Sequence, residues 1–276
     1  LRHGLLAFQF FIAIVFLSSM FLVRKQLDFM RHSDKGFDPG QVVYIKNLVD
    51  FGAQKPLVAF ETVRNRLKAI PGVEHATVAT SVPGGAQPVL TTAEYRDARY
   101  EVGHIGVDYE YFEAMGMEVL AGRVFTDRFP ADSADGVVIN EAAMKALNIR
   151  EAAGQHIRCC NTDLRLIGVV RDARTQGFDE AVGPVVYTVR NLCEPFKSEI
   201  LVRIGKGHTQ SALAAIEKEW TEINAFDGDY FRYEFVDEKY AALFREQSRL
   251  ESAVSMFAAL AMIVAMMGLF SMSAHS

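Results

Sequence analysis

The chain has 276 residues, half of them hydrophobic, and 29 basic against 34 acidic side chains give it a formal net charge of −5. That length allows two modest domains with their own cores, and an acidic balance without a dominant basic patch argues against a nucleic-acid partner. Two runs without a charged side chain, residues 5–23 and 252–274, bracket a stretch whose composition is that of a soluble protein.

About 20 apolar residues in a helix cross the ~30 Å hydrocarbon core of a bilayer, so each run predicts a transmembrane helix. The first, rich in Phe8, Phe10, Phe11, Ile12, Ile14 and Phe16, offers no polar face to water. It is longer than the apolar core of a signal peptide, and Arg24-Lys25-Gln26 follows it instead of a small-residue cleavage site. Helical character extends from residue 24 as a stalk, and the region 24–40 ends in Asp34-Lys35-Gly36-Phe37-Asp38-Pro39-Gly40, a strong stop. At the other end, the stripe Tyr240, Leu243, Phe244, Leu250 and Val254 predicts one unbroken helix from Asp237, a stalk over 237–251 running into the second span. A chain that begins at Leu1 and stops just after an apolar run reads as a piece of a longer protein.

Between the runs the pattern is α+β. Val42, Val43, Tyr44 and Ile45 predict a strand over 41–48. Leu57, Phe60, Val63, Leu67 and Ile70, spaced by threes and fours, predict a helix over 55–70 that Pro71-Gly72 ends. A strand over 73–81 completes a βαβ unit, within residues 41–87, whose crossover should be right-handed. A second unit within 193–236 repeats the order: strand 199–204, helix 209–223 with Leu213, Ile216 and Trp220 on one side, and strand 230–236 with Phe231, Tyr233 and Phe235 as core. The two units predict one split βαβ/βαβ subdomain whose halves share a sheet.

Residues 88–192, set off by Pro83-Gly84-Gly85-Ala86-Gln87-Pro88, predict an inserted small α+β subdomain. It should hold a hairpin over 90–96 and 100–107, a helix over 108–115 capped by Asp108, and a strand over 136–139. Asn140 should cap a helix over 141–147, with strands over 156–160, 164–171 and 184–190 after it.

Chemistry is harder to find. The sequence contains no Walker A, GxGxxG, HExxH or GxSxG pattern. Gly205-Lys206-Gly207-His208-Thr209 lacks the upstream glycine of a phosphate loop and reads as a tight strand-to-helix turn. Asp172, Asp179 and Glu180 lie near Arg171 and Arg174, where solvated ion pairs are the common outcome. Asp227 and Asp229 flank Gly228 as turn residues, and Arg123 reads as a structural arginine. None forms a nucleophile–base or metal constellation. Of the three cysteines, the adjacent Cys159 and Cys160 do not readily bridge each other, so at most one pairs with Cys193 and an odd thiol is left. No further zinc ligands sit beside the pair. The expected catalytic, cofactor-binding and metal-ligating residues are therefore none.

One resemblance runs along nearly the whole chain. Leu6-Ala7-Phe8-Gln9-Phe10, Gln26-Leu27-Asp28-Phe29-Met30, Asp34-Lys35-Gly36-Phe37-Asp38 and Tyr111-Phe112-Glu113-Ala114-Met115-Gly116-Met117 carry its first part. Leu120-Ala121-Gly122-Arg123-Val124-Phe125, Val137-Val138-Ile139-Asn140-Glu141-Ala142, Ile167-Gly168-Val169-Val170-Arg171-Asp172 and Pro184-Val185-Val186-Tyr187 carry the rest. In this order and spacing they resemble the MacB/FtsX-type ABC transporter permeases, specifically the MacB-like periplasmic core domain with its flanking transmembrane helices.

The resemblance implies a porter-like split subdomain and a sabre-like insert, in a permease subunit that is not itself an enzyme. A cytoplasmic ABC ATPase, as partner or fused domain, would hydrolyse ATP and drive motion of the extracytoplasmic domain for export or mechanotransmission. It also implies a multi-pass protein of the bacterial inner (plasma) membrane, embedded in the lipid bilayer. The other partners it implies are a second permease half, forming a dimer or pseudo-dimer, and a periplasmic protein or substrate, with no nucleic acid. From the residues alone, a two-span membrane sensor or receptor ectodomain is the alternative.

Overall fold

The computed structural model describes residues 2–46, 60–178, 181–190, 192–193, 197, 199–223 and 231–273. It divides into two compact units, Leu1–Asp34 with Ala242–Ser276, and Lys35–Ala241. The chain opens with α1 (Arg2–His32), β1 (Val42–Lys46), α2 (Phe60–Lys68) and β2 (Val73–Ala79). Then come β3 (Val89–Tyr95), β4 (Ala98–Gly106), α3 (Tyr111–Ala114), β5 (Val119–Gly122), α4 (Asp132–Asp135) and β6 (Gly136–Asn140). Next are α5 (Glu141–Ala146), β7 (His156–Cys159), β8 (Thr162–Val170) and β9 (Val185–Thr188). The last part holds β10 (Glu199–Ile204), α6 (Thr209–Ile223), β11 (Tyr233–Phe235), α7 (Val236–Ala241) and, past a 3-10 turn at Ala242–Phe244, α8 (Arg245–Ser273).

The first sheet has the order β11-β1-β10-β2, with every neighbouring pair antiparallel. The parallel strands of each βαβ unit are therefore never adjacent: β10 lies between β1 and β2, and β1 between β10 and β11. The two expected units interleave in one split, ferredoxin-like sheet. Val43, Ile45, Ala76, Val78, Ile200 and Val202 line one face and pack on Phe60, Val63 and Leu67 of α2 and on Ala212, Ile216 and Trp220 of α6. The other face is covered as well, since α3 packs on β2 and β10 and Tyr44 lies under the Lys239 ammonium, 4.8 Å from the ring centroid. Strands covered on both faces read as continuous apolar runs, which is the pattern of β1. Of the helix expected over 55–70, residues 55–59 lie outside the described residues.

The insert is a ring of strands. Its sheet runs β5-β8-β6-β9-β4-β3-β7, and β7 also pairs with β8, which closes the ladder on itself. One edge of β8 takes β6 along Arg165–Val170; the other takes β7 at its start and β5 at its end. Val102, Val137, Ile139, Ile157, Leu164, Leu166 and Val186 pack inside with Ala143 and Leu147. Two-residue turns with positive φ close two hairpins, Arg96-Asp97 between β3 and β4 and Cys160-Asn161 between β7 and β8, the backbone that matches strand twist. Gly168 is required where β5 meets β8, because a Cβ there would fall 2.1 Å from the Arg123 carbonyl oxygen.

Asn140 caps α5 as expected and also ties it to β9. Its Oδ1 accepts from the Ala143 N–H at 2.9 Å and the Val185 N–H at 2.8 Å, and its Nδ2 donates to the Gly183 carbonyl at 2.9 Å. The cap expected at Asp108 does not form. Helix α3 starts later, after Glu110 in the left-handed region at φ 65, and Asp108 Oδ1 instead accepts from the Tyr109 N–H at 2.6 Å.

The helix expected to run unbroken from Asp237 is interrupted by the 3-10 turn Ala242–Phe244. The interruption falls where the packing partners change: Val236 and Tyr240 are buried in the Lys35–Ala241 unit, whereas α8 packs on α1. In the helical unit the rings of Phe16 and Phe257 stack at 6.0 Å, and the small Ala13 and Ala258 are buried, which allows close helix approach. The stretch Ala7–Met30 of α1 is long and apolar enough to cross a membrane, while the apolar stretch of α8, Ser252–Gly268, is shorter. Phe11, Ile14, Phe21 and Leu22 on α1 and Met256, Leu260, Met266 and Phe270 on α8 are exposed, a surface that water penalises and lipid does not.

Two buried polar groups set measurable stabilities. Asn140→Ala removes the cap and leaves the Val185 N–H and Gly183 carbonyl unpaired, so it is expected to cost about 2–4 kcal/mol in thermal unfolding of the detergent-solubilised chain. His104 Nε2 lies 2.8 Å from Thr188 Oγ1. Because that hydroxyl donates to the Arg190 carbonyl at 2.8 Å, Nε2 carries the proton. His104 Nδ1 is buried without a partner. Burial, and next the nearby Lys197, push this imidazole down from 6.5 to about 4. Between those values the unfolded chain binds more protons, so the contribution of His104 is complete above pH 6.5 and lost as pH falls toward 4. The loss amounts to about 3 kcal/mol. His104→Asn is expected to flatten that limb when chemical unfolding at pH 7 and near pH 4 is compared.

Candidate functional site at the seam between the sheets

The split sheet and the ring meet along a polar seam inside the Lys35–Ala241 unit. Arg203 of β10 sits at one end with a side chain only 13% exposed. Its Nε donates to the Ala114 carbonyl at 2.6 Å and its Nη2 to the Asp38 carbonyl at 2.7 Å. Its Nη1 reaches the Gly40 carbonyl and Asp38 Oδ2, each at 3.2 Å. The Asp38 N–H donates to the Met115 carbonyl at 2.8 Å. The end of α3 is thereby pinned both to β10 and to the segment leading into β1.

Further along, the ends of β2 and β4 meet through a bridge between Ala79 and Val107. The Thr80 N–H donates to the Gly106 carbonyl at 2.9 Å, and the Gly106 N–H to Thr80 Oγ1 at 3.0 Å. Lys197, 4% exposed, donates through Nζ to the Val107 carbonyl at 2.7 Å and also to the Val189 carbonyl. A buried ammonium thus draws together the chain just after β4 and just after β9. Burial pushes the Asp108 carboxyl up, against the pull of Lys197, the Tyr109 N–H and Arg64.

The third junction is the loop after β8. The Arg174 N–H donates to the Lys35 carbonyl at 2.8 Å, the Gly84 N–H to the Thr175 carbonyl at 2.9 Å, and Tyr240 Oη to the Arg174 carbonyl at 2.7 Å. Tyr240 also meets Phe37 edge-on at 5.3 Å. Gly36, at φ 75, permits this approach, since a Cβ there would fall 1.8 Å from the Asp172 carbonyl oxygen. One loop of the ring therefore touches both the segment that follows α1 in the chain and the helix that precedes α8.

A groove of about 320 Å3 lies between α2 and the α3 region, lined by Arg64, Lys68, Tyr109, Glu110, Glu113 and Asp127 among others. Lys68 pairs with Glu110 Oε1, and His75 Nδ1 lies 3.1 Å from Glu110 Oε2. Burial would raise the Glu110 carboxyl, but hydrogen bonds from Lys68 and His75 outweigh it and hold the group below its usual range. A carboxylate engaged in this way fastens two elements together and is a poor general base.

The residues singled out in the sequence scatter instead of converging. Arg123 holds Asp132 bidentately at 2.7 and 2.8 Å, and Arg165 adds a bond at 2.9 Å, with the Asp132 side chain 2% exposed. Arg171 pairs with Glu118 at 3.0 Å, Arg174 stacks over Phe178 at 5.1 Å, and Asp172 Oδ1 accepts from the Ala142 N–H at 2.9 Å near the start of α5. Gly207, at φ 85, and the bond from the His208 N–H to the Gly205 carbonyl make the expected tight turn before α6. Tyr233 is 42% exposed, so only Phe231 and Phe235 of the aromatic stripe pack against the core. Asp179, Glu180, Asp227 and Asp229 lie outside the described residues.

Sequence reasoning missed Arg203 and Lys197, because an isolated basic residue at a strand edge carries no motif. The cysteines follow the expected arithmetic, one pairing with Cys193 and one odd thiol: Cys160 is disulfide-bonded to Cys193 with a Cα–Cα distance of 5.9 Å, and the free Cys159 Sγ lies 3.9 Å from Cys193 Sγ. Burial pushes the Cys159 thiol up to about 11, against the Cys160 N–H.

The family model for the MacB-like periplasmic core domain matches residues 10–219. Among solved structures, the periplasmic region of MacB from Actinobacillus actinomycetemcomitans is similar at a TM-score of 0.54 and 16% identity, over 78% of this chain and 98% of that one. The extracellular domain of the noncanonic ABC-type transporter YknZ from Gram-positive bacteria is similar at a TM-score of 0.50 and 15% identity, over 70% of this chain and 98% of that one. No curated protein sequence matches. The extent of the family match, over a head of the same fold, shows that this chain belongs to the MacB-like periplasmic core domain family, a component of ABC-type transporter permeases.

Proposed function

We propose that the chain is the moving part of a MacB/FtsX-type permease in the bacterial inner membrane, with both α1 and α8 in the bilayer and the Lys35–Ala241 unit on the extracytoplasmic side. A cytoplasmic ABC ATPase hydrolyses ATP, and the permease performs no bond-making of its own. In this reading the split sheet is the porter-like subdomain, residues 41–87 and 193–236, and the ring is the sabre-like insert, residues 88–192. A second permease half completes a dimer or pseudo-dimer. The work delivered is export or mechanotransmission to a periplasmic partner.

The observation that carries this reading is the loop after β8. Its bonds to Lys35, Gly84 and Tyr240 give the ring direct purchase on the chain at both ends of the head. A displacement of α1 against α8 then reaches the ring without passing through the sheet core. The interlocked carboxylates at Glu110 and Asp132 suit a body that transmits force.

The test is a distance measurement in nanodiscs with the cognate ATPase. Spin labels at the exposed Lys25 and Arg249 are expected to change separation on ATP binding, and labels at Asp163 on the ring and Lys218 on α6 to change with them. Gly36→Ala places a Cβ 1.8 Å from the Asp172 carbonyl oxygen and pushes the loop away. It is expected to leave the helix change intact and blunt the head change. Helix labels that stay at one distance through the ATP cycle would overturn the reading.

A further inference from the structure

We propose that Cys159, Cys160 and Cys193 form a reduction-dependent site for a soft, thiophilic cation of low coordination number, the cuprous ion being the species whose chemistry fits it. The inference is independent of transport and goes beyond the proposed function. The three Sγ atoms all lie within 4.8 Å of one another. Metal–sulfur bonds of about 2.3 Å arranged trigonally put sulfurs roughly 4 Å apart, and Cys159 Sγ already stands 3.9 Å from Cys193 Sγ. Only the Cys160–Cys193 pair has to open.

A structural disulfide by itself accounts for Cys160 and Cys193 but not for Cys159. A fully buried thiol on β7, facing Ala93 across the ladder, could be replaced in packing terms by any small apolar side chain. The backbone points the same way at Cys160. It holds the first position of the β7–β8 turn at φ 48, where a residue with a Cβ costs about 1–2 kcal/mol and glycine or asparagine is the usual choice. The sulfur is what that position gains.

The donor set decides the metal class. Thiolates select soft cations, zinc and the cuprous ion among them, and the cluster contains neither histidine nor carboxylate. Three sulfurs leave the tetrahedral shell of a structural zinc one protein ligand short, whereas they complete a trigonal cuprous site. Three thiolates around a monovalent ion leave an excess of negative charge. Cys160 lines a surface pocket of about 360 Å3 together with Thr91, Thr92, Glu94, Arg99 and Arg158. Glu94 pairs with Arg99 at 2.8 Å, which leaves Arg158 to supply compensating charge, and the pocket gives a route in from solvent. The bound form requires a two-electron step. A dithiol reductant is oxidised to its disulfide, the Cys160–Cys193 bond breaks, and both sulfurs leave as thiols. The cation then forms three metal–sulfur bonds and displaces the three thiol protons to water. Exchange with a disulfide oxidant, which takes two electrons and two protons and leaves as the dithiol, re-forms the Cys160–Cys193 bond, removes two of the ligands and releases the ion.

The test uses the full chain in detergent, held anaerobically with a phosphine reductant and titrated with cuprous ion against a chromophoric chelator. About one copper per chain is expected, with X-ray absorption showing three sulfur neighbours. Cys159→Ala is expected to weaken binding at least about 100-fold, and the Cys160→Ser/Cys193→Ser double variant to retain none. The untreated, disulfide-bonded chain should bind copper only after reduction. The proposal falls if the reduced chain holds no more copper than the double variant, or if the unreduced chain binds equally well. It falls too if the wild-type spectrum shows two sulfurs or a shell of nitrogen and oxygen. That last measurement needs no variant and does not depend on how Cys159→Ala folds.

Discussion

Strand β10 is the constraint on which the head depends. It enters the sheet from beyond the insert and pairs with β1 and β2 at once, joining Val42 to Arg203 and Ala79 to Glu199. Val42 and Arg203 lie over 150 positions apart, and closing an open loop of that length costs about 4 kcal/mol plus a constant. The insert lowers that cost. With the ring formed, the Val107 N–H donates to the Thr188 carbonyl at 2.9 Å, and the Ala79–Val107 bridge brings β2 to the same place. The chain that leaves β2 then returns beside it after a short reach from Thr188 to Glu199. A folded ring thus favours the split sheet, and the seam between them is where the two meet.

The charged contacts of the head differ widely in consequence. Arg66 with Glu219 and Glu222, and Arg99 with Glu94, sit in solvent, where such pairs contribute about 0–1 kcal/mol each. Arg203 and Lys197 are largely withdrawn from water, and their principal acceptors are backbone carbonyls of Asp38, Gly40 and Ala114 and of Val107 and Val189. Removing Lys197 would leave the buried Val107 carbonyl without this donor at about 1–3 kcal/mol, and removing Arg203 would take a donor from the part-buried Ala114 and Gly40 carbonyls. The seam is accordingly specific in geometry, because a guanidinium or ammonium must reach those acceptors together. A shifted register of β10 would satisfy none of them.

Much of this fold is legible in the amino-acid order. Strand β10 and helix α6 fall where the apolar spacing places them, and Asn140 announces α5 because a side-chain acceptor before a helix has few other uses. Other features are decided elsewhere. The ring closes because β8 uses one edge for β6 and divides the other between β7 and β5, and no local pattern records which edge a strand offers. Asp108 looks like a cap, but α3 is positioned by packing of Tyr111 and Phe112 on Tyr187, at ring distances of 6.3 and 5.3 Å, and starts after it. The apolar stripe past Asp237 continues through Phe244 although the helix does not, since a periodic sequence does not reveal where its neighbour changes. Arg203 and Lys197 were invisible for a related reason: each acquires meaning only from residues far away in the chain.

The loop after β8 connects these observations. It continues directly from Val170 at the closed wall of the ring and then meets Lys35, Gly84 and Tyr240. Separating it from those partners would cost about three hydrogen bonds, roughly 3 kcal/mol net, whereas detaching it from the ring would mean breaking the β8 ladders as well. Under a pull on Lys35 relative to Ala241, the ring therefore stays in one piece, and the three bonds of the loop are what sets the force it can bear. Gly36 matters here because any side chain would hold the loop away by its clash with the Asp172 carbonyl. A loop pressed this closely against both ends of the head is nonetheless tied to the ring by more bonds than to either end.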